Sequence, residues 1–160
     1  MNKFKKITLI LCLLPLSLMA QKVVTKSRHM RITHAEVTVS YPGVQGAPIF
    51  RQYKITVVLR KAMKTLPDTM YADGFAEQLK LTPIDAGNGF YKKGSSITFV
   101  ATVTVNTAEN AENMDAFSKK SSLAGDGVCI IRYYVTKKSK QQPIYLRAKT
   151  LNKGAEVFMP

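Results

Sequence analysis

The 160-residue sequence has no tryptophan, two cysteines, two histidines and ten acidic residues, and each shortage removes a class of chemistry. Without tryptophan there is no large indole to stack on sugar rings, which counts against a small glycoside hydrolase although carboxylates are present. The histidines, His29 and His34, both lie near the start, and His34 falls on the polar side of an alternating stretch beside Glu36. A solvated surface imidazole is the simpler reading than a catalytic base. No Gly-x-Ser-x-Gly turn occurs that could present a serine nucleophile. Structural zinc asks for four cysteine or histidine ligands. The three such residues past the start, His29, His34 and Cys129, stand at unrelated spacings. The oxygen-rich run Asn106, Glu109, Asn110, Glu112, Asp115 lacks the alternating ligands and the glycine of a calcium loop. The glycines of "GNG" at 87–89 precede aromatic and basic residues rather than a helix, so they lack the setting of a phosphate cradle. No catalytic residue, cofactor or metal ligand is therefore assigned.

The opening "MNKFKKITLILCLLPLSLMAQ" has a basic start (Lys3, Lys5, Lys6), an apolar core from Ile7 to Leu18 and a small residue, Ala20. That layout predicts a secretory signal peptide over 1–20. Its apolar run is shorter than the roughly 20 residues needed to span a bilayer, so no transmembrane segment is expected after cleavage. Residues 21–160, free of long linkers, repeats or low-complexity blocks, then form a single domain large enough for its own core. Removal of three lysines takes the formal charge from +14 to +11. Cys12 leaves with the leader, and Cys129 is left without a partner in the chain.

Hydrophobic alternation of period two dominates the chain beyond the leader. Ala35, Val37 and Val39 face away from Glu36, Thr38 and Ser40; Tyr53, Ile55, Val57 and Leu59 alternate with Lys54, Thr56, Val58 and Arg60; Ile97, Phe99, Ala101, Val103 and Val105 alternate with Thr98, Val100, Thr102 and Thr104. Phe75, Leu79 and Leu81 suggest one or two short strands interrupted at Gly74, and Asn88-Gly89 suits a tight hairpin. "GVCIIRYYV" and "PIYLRAKTL" supply two closing strands. Between them and the third long strand, Ala108, Ala111, Met114 and Phe117 recur at helical spacing, which predicts one short helix near 107–120 or a loop. Six to eight short strands divided by turn signals predict an all-β fold, a single antiparallel two-sheet sandwich of immunoglobulin-like type. The alternative is an OB-type barrel, in which a late helix between strands is part of the pattern.

The stretches "YPGVQGAPIFRQYKITVVLRK", "FYKKGSSITFVATVTVN" and "GVCIIRYYVTKKSKQQPIYLRAKTLNKG" together resemble short secreted β-sandwich proteins of Bacteroidetes-type bacteria. In that pattern a Gly-rich turn precedes a long strand, a Lys-Gly turn precedes another, and an apolar strand hairpins into a Tyr-Leu-x-x-Lys strand. The resemblance implies the sandwich and carries no assigned activity and no site residues. The segment from Thr107 to Gly125 is longer than the connection it leads one to expect.

Basic residues remain the main candidates for contact. Lys119, Lys120, Lys137, Lys138 and Lys140 cluster in expected turns, and Arg132 sits on a strand beside Tyr133 and Tyr134. Basic and aromatic side chains interleaved on a sheet suit single-stranded nucleic acid or glycans. Lysines at turns and edges also keep exposed strands from aggregating, which is the plainer account. The sequence thus predicts an exported binding module of the cell envelope without catalytic activity. Its partner would be an envelope protein or polymer, with a periplasmic OB-like binder of anionic polymers as the alternative and nucleic acid disfavoured. Period two places Cys129 with Ile131, Tyr133 and Val135 on an inward face, where burial favours packing over reactivity.

Overall fold

A computed structural model of the protein describes residues 23–82, 90–105, 119–135 and 142–159. The expected leader and Asn88-Gly89 turn, most of the expected helix and Lys137, Lys138 and Lys140 lie outside the described residues. The alternating stretches become long strands: β2 (Met30–Tyr41), β3 (Ile49–Leu59) and β7 (Ser96–Val105). Shorter ones are β4 (Thr69–Ala72), β5 (Phe75–Gln78), β9 (Cys129–Tyr133) and β10 (Ile144–Arg147). Two-residue strands complete the set: β1 (Val23–Val24), β6 (Lys80–Leu81), β8 (Lys119–Lys120), β11 (Asn152–Lys153) and β12 (Val157–Phe158). Where the expected helix reaches described residues, at Lys119 and Lys120, the chain is extended and pairs with β5.

Two sheets result. One runs β1-β10-β9-β4-β5-β8, the other β11-β2-β3-β7-β6 with β12 also paired to β2. The ladders joining the longer strands are antiparallel, as expected, while β1 on β10 and β11 and β12 on β2 are short parallel pairings at the sheet edges. The path β2-β3-β7-β6 reproduces the A-B-E-D order of an immunoglobulin-type sandwich, and β10-β9-β4-β5 the G-F-C-C′ order. Each sheet ends in edge strands rather than closing on itself, which corrects the OB-barrel alternative.

The core lies where the alternation put it. Tyr53, Ile55, Val57 and Leu59 from β3 and Ile97, Phe99, Ala101 and Val103 from β7 meet Met70, Ala72, Cys129, Ile131, Tyr133 and Leu146 from the other sheet. Each fully buried side chain of this size contributes roughly 1.5–3 kcal/mol relative to exposure, so these two facing rows account for the sandwich. Cys129 is 1% exposed and unpaired, in the interior position expected of it.

The β4–β5 hairpin was legible only in part. Gly74 is not a break inside a strand but the second residue of a two-residue turn, with φ of 47° at Asp73 and 82° at Gly74. Asp-Gly supplies the left-handed pair that such a turn requires. Leu79 beyond it is buried as the chain crosses between sheets, whereas Leu81 is exposed.

Candidate functional site

Two arginines, each beside an aspartate, stand at two places where the described residues depart from a plain polar surface or a plain apolar core. The first is on the outer face of the β10-β9-β4-β5 sheet. Register sets Tyr145, Arg132, Thr69 and Gln78 in one cross-strand row, and Arg147, Ile130, Tyr71 and Ala76 in the next. Part of this face is dry, because Ala124 packs with Ile130 and Tyr145, flanked by Tyr71, Leu123 and Val128. This second small cluster explains why β9 is apolar on both faces.

Beside the cluster, Arg132 donates from Nε to Oδ1 of Asp68 at 2.9 Å and from Nη2 to Oδ2 at 3.1 Å. Nη2 also donates to the Thr69 hydroxyl at 2.7 Å. The guanidinium lies 5.8 Å from the Tyr134 ring centroid, within cation–π range. Asp68 is fixed by its own backbone, whose N–H donates to the Arg132 carbonyl. The hydrogen bonds that Arg132 donates to Asp68 push its pKa further up, outweighing the effect of burial. Around the pair is a shallow groove of about 470 Å³ lined by Asp68, Thr69, Tyr71, Glu77, Gln78 and Arg132. A carboxylate thus matches the charge of Arg132, and Glu77 adds a second acid, so the groove carries polar and aromatic groups rather than a cationic surplus.

The second place is inside one end of the sandwich. Period two points Arg51 inward on β3, between Val39 and Val103, where the strand otherwise carries core residues. Asp73, raised on the tight β4–β5 turn, accepts from the Tyr53 hydroxyl at 2.5 Å and from the Gly127 N–H at 2.8 Å. The turn is braced by Gly74, which donates to the Ala124 carbonyl and accepts from the Ser121 N–H. Burial first, then the hydrogen bond to Asp73 and its charge, raise the Tyr53 pKa, with Arg51 opposing. Arg51 Nη1 lies 3.6 Å from Asp73 Oδ2, an ion pair beyond hydrogen-bond length. Its Nε is buried and has no hydrogen-bond partner among the described residues. An unpaired buried donor of this kind costs on the order of 1–3 kcal/mol. Sequence reasoning missed this cluster. Two signals pointed to it, the arginine at an inward position of a clear strand and the Asp-Gly pair.

Of the other predicted contacts, Lys137, Lys138 and Lys140 lie outside the described residues. Lys119 and Lys120 pair with Ala76 and Phe75 at the far edge of the sheet that carries Arg132. His34 is exposed on the outer face of the opposite sheet, 3.0 Å from Glu36. His29 lies at the end of the sandwich away from Asp73, edge-on to Tyr133, and its pKa is lowered by burial, then by Lys61 and Arg28. The Cys129 thiol is pushed up to about 12, chiefly by burial and further by the Asp73 charge, so at neutral pH it is not a thiolate. Imidazole and thiol therefore occupy different layers. Among the described residues no three His, Cys, Asp or Glu side chains come together in a way that could hold a metal ion, and no helix is long and apolar enough to cross a membrane. Family models, curated proteins and solved structures were all compared with the chain, and none matches it.

Proposed function

We propose that the chain is a non-enzymatic binding domain exported to the cell envelope, and that it meets its partner with the outer face of β4, β5, β9 and β10. The observation that carries this reading is the groove around Arg132, where half-buried Tyr71 and Tyr134 flank a guanidinium already held by Asp68 and Thr69. Rigid aromatic rings beside fixed polar groups bind at small entropic cost, because little has to be ordered on contact. The leader-like start of the sequence supports export, and a raised thiol pKa together with the separation of His34 from Cys129 weighs against a nucleophilic enzyme. Interaction with anionic polymers is the second reading, favoured by the formal +11 beyond the leader. It would have to use lysines rather than the neutralised Arg132.

The test is retention of envelope components on the immobilised domain, compared between wild type, Tyr71→Ser in the groove and Lys54→Ser on the opposite outer face. Loss with Tyr71→Ser alone supports the groove. Equal retention by all three, or retention that vanishes at physiological salt irrespective of Tyr71, would favour diffuse electrostatics instead.

A further inference from the structure

Charge is unevenly placed along the sandwich. Asp73, Asp126 and Glu156 gather around a cavity toward one end. At the other end the chain enters β2, leaves β3 and enters β7, and the three segments there, 26–31, 60–66 and 90–95, hold eight lysines and arginines and no acidic residue. Backbone hydrogen bonds draw these segments together. The Arg60 and Lys61 N–H groups donate to the His29 carbonyl at 2.7 and 3.2 Å, the Gly94 N–H donates to the Leu59 carbonyl at 2.8 Å, and Met63 and Tyr91 exchange a pair at 2.9 Å. Lys92 and Lys93 ride a tight turn closed from the Ser95 N–H to the Lys92 carbonyl, with Gly94 supplying a positive φ of 88° at its third position. Arg28, Arg60, Lys61, Lys64, Lys92 and Lys93 are all exposed, and among the described residues none of them is in an ion pair. Asp68, just past the second segment, is already held by Arg132. The pKa of His29, lowered by burial first and then by Lys61 and Arg28, is a sign of this convergence. Phe90 belongs to the same end, 54% exposed, next to Tyr91 and the lysine turn.

We propose that this basic end docks on an anionic lipid surface, with its lysines and arginines against the headgroup phosphates and the Phe90 ring at the top of the acyl chains. Charge complementarity carries the first part. Unpaired cations with no carboxylate between them are drawn to a negatively charged bilayer, each strengthening the attraction about fivefold. Phe90 carries the second part. A phenyl ring left in water beside lysines gains by leaving it, and the boundary between headgroups and acyl chains takes cations and ring together. Strand ends and short turns also form a tip, which meets a flat surface without needing a groove. Single-stranded nucleic acid, by contrast, asks for several rings on which successive bases stack. Here Tyr91 is half-buried and Phe90 alone of the two rings is exposed. The groove around Arg132 is a separate surface, on the outer face of the other sheet.

The test uses the chain from Gln21, which contains every strand of both sheets. It is sedimented with vesicles of phosphatidylcholine alone and of an equal mixture with phosphatidylglycerol, at low and at physiological salt. A thymidine oligonucleotide is offered in parallel as a polyanion without a bilayer. Binding is expected to the mixed vesicles and not to phosphatidylcholine alone, and it weakens as salt rises. Lys92→Gln with Lys93→Gln weakens it about twentyfold, and Phe90→Ser about fivefold. Lys149→Gln with Lys153→Gln removes the same charge from exposed positions away from this end and weakens it by about twofold at most. Tyr71→Ser leaves it unchanged, so this surface and the groove stand or fall separately. Because the chain has no tryptophan, Phe90→Trp adds a single reporter, whose emission moves to shorter wavelength on the mixed vesicles and not with the oligonucleotide. No preference for the mixed vesicles, equal losses from the two lysine pairs, an unmoved tryptophan emission, or tighter binding of the oligonucleotide than of the vesicles would overturn the proposal.

Discussion

Arg132 and Arg51 each face an aspartate, yet the two pairs are built oppositely. Arg132 is on a sheet surface and is complete, with two contacts to Asp68 near 3 Å and a third to Thr69. Arg51 is on the core face of the other sheet and is incomplete, 3.6 Å from an Asp73 whose closer partners are Tyr53 and Gly127. A guanidinium with Nε and Nη2 held by Asp68 and Thr69 ties two strands together. One held by a 3.6 Å ion pair, with its buried Nε unpartnered, gives up stability instead.

The contrast is tested most severely at Asp73. Asp73→Ala leaves the fully buried Tyr53 hydroxyl and the Gly127 N–H without their acceptor and strips the turn of a residue that tolerates positive φ. A loss of about 3 kcal/mol in urea unfolding is expected. Asp73→Asn, which keeps an acceptor and the backbone preference, loses distinctly less. Tyr53→Phe removes a single bond to a carboxylate and should cost about 1.5 kcal/mol. Arg132→Met breaks a partly exposed bidentate pair and should cost about 1 kcal/mol, with partner retention reduced as well.

Smaller still is an effect of pH. The ordinary thiol ionises near 9.0, and that of Cys129 near 12 in the folded state. Between those values the native state holds a proton that the unfolded state has released. Stability therefore falls as pH rises through that window and is fully present below it. The raised Tyr53, Tyr133 and Tyr145 hydroxyls act in the same direction. Cys129→Ala should flatten part of the alkaline decline in a pH series of unfolding curves. In the native wild type a thiol reagent at pH 8 should leave Cys129 unlabelled.

Strand content was readable because alternation is a local signal that burial enforces. A slip of one residue on β3 would bring Lys54 and Thr56 inward in place of Tyr53 and Ile55, so the register is held firmly. Both-face burial of β9 was readable too, from Ile130 beside Cys129 and Ile131. The reason for it was not, since the cover over Ile130 and Tyr145 comes from Leu123, Ala124 and Val128 folding back. Arg132 was recognised as a candidate contact, but its saturation depends on Asp68, 64 residues earlier in the chain. The Arg51 cluster depends likewise on a turn that brings Asp73 under β3. Pairings between residues this far apart in the chain leave no periodic trace in the sequence, and for Arg51 only the inward placement of a charge hints at one.

The most direct measurement is a side-by-side urea unfolding of Arg51→Met and Arg132→Met against wild type. Removing Arg51, whose buried Nε is unpartnered, should leave stability unchanged or raise it by about 1 kcal/mol, because Asp73 keeps Tyr53 and Gly127, while removing Arg132 should cost about 1 kcal/mol. An Arg51→Met protein clearly less stable than Arg132→Met would contradict the account, since it would make Arg51 a structural tie despite its long ion pair and unpartnered Nε.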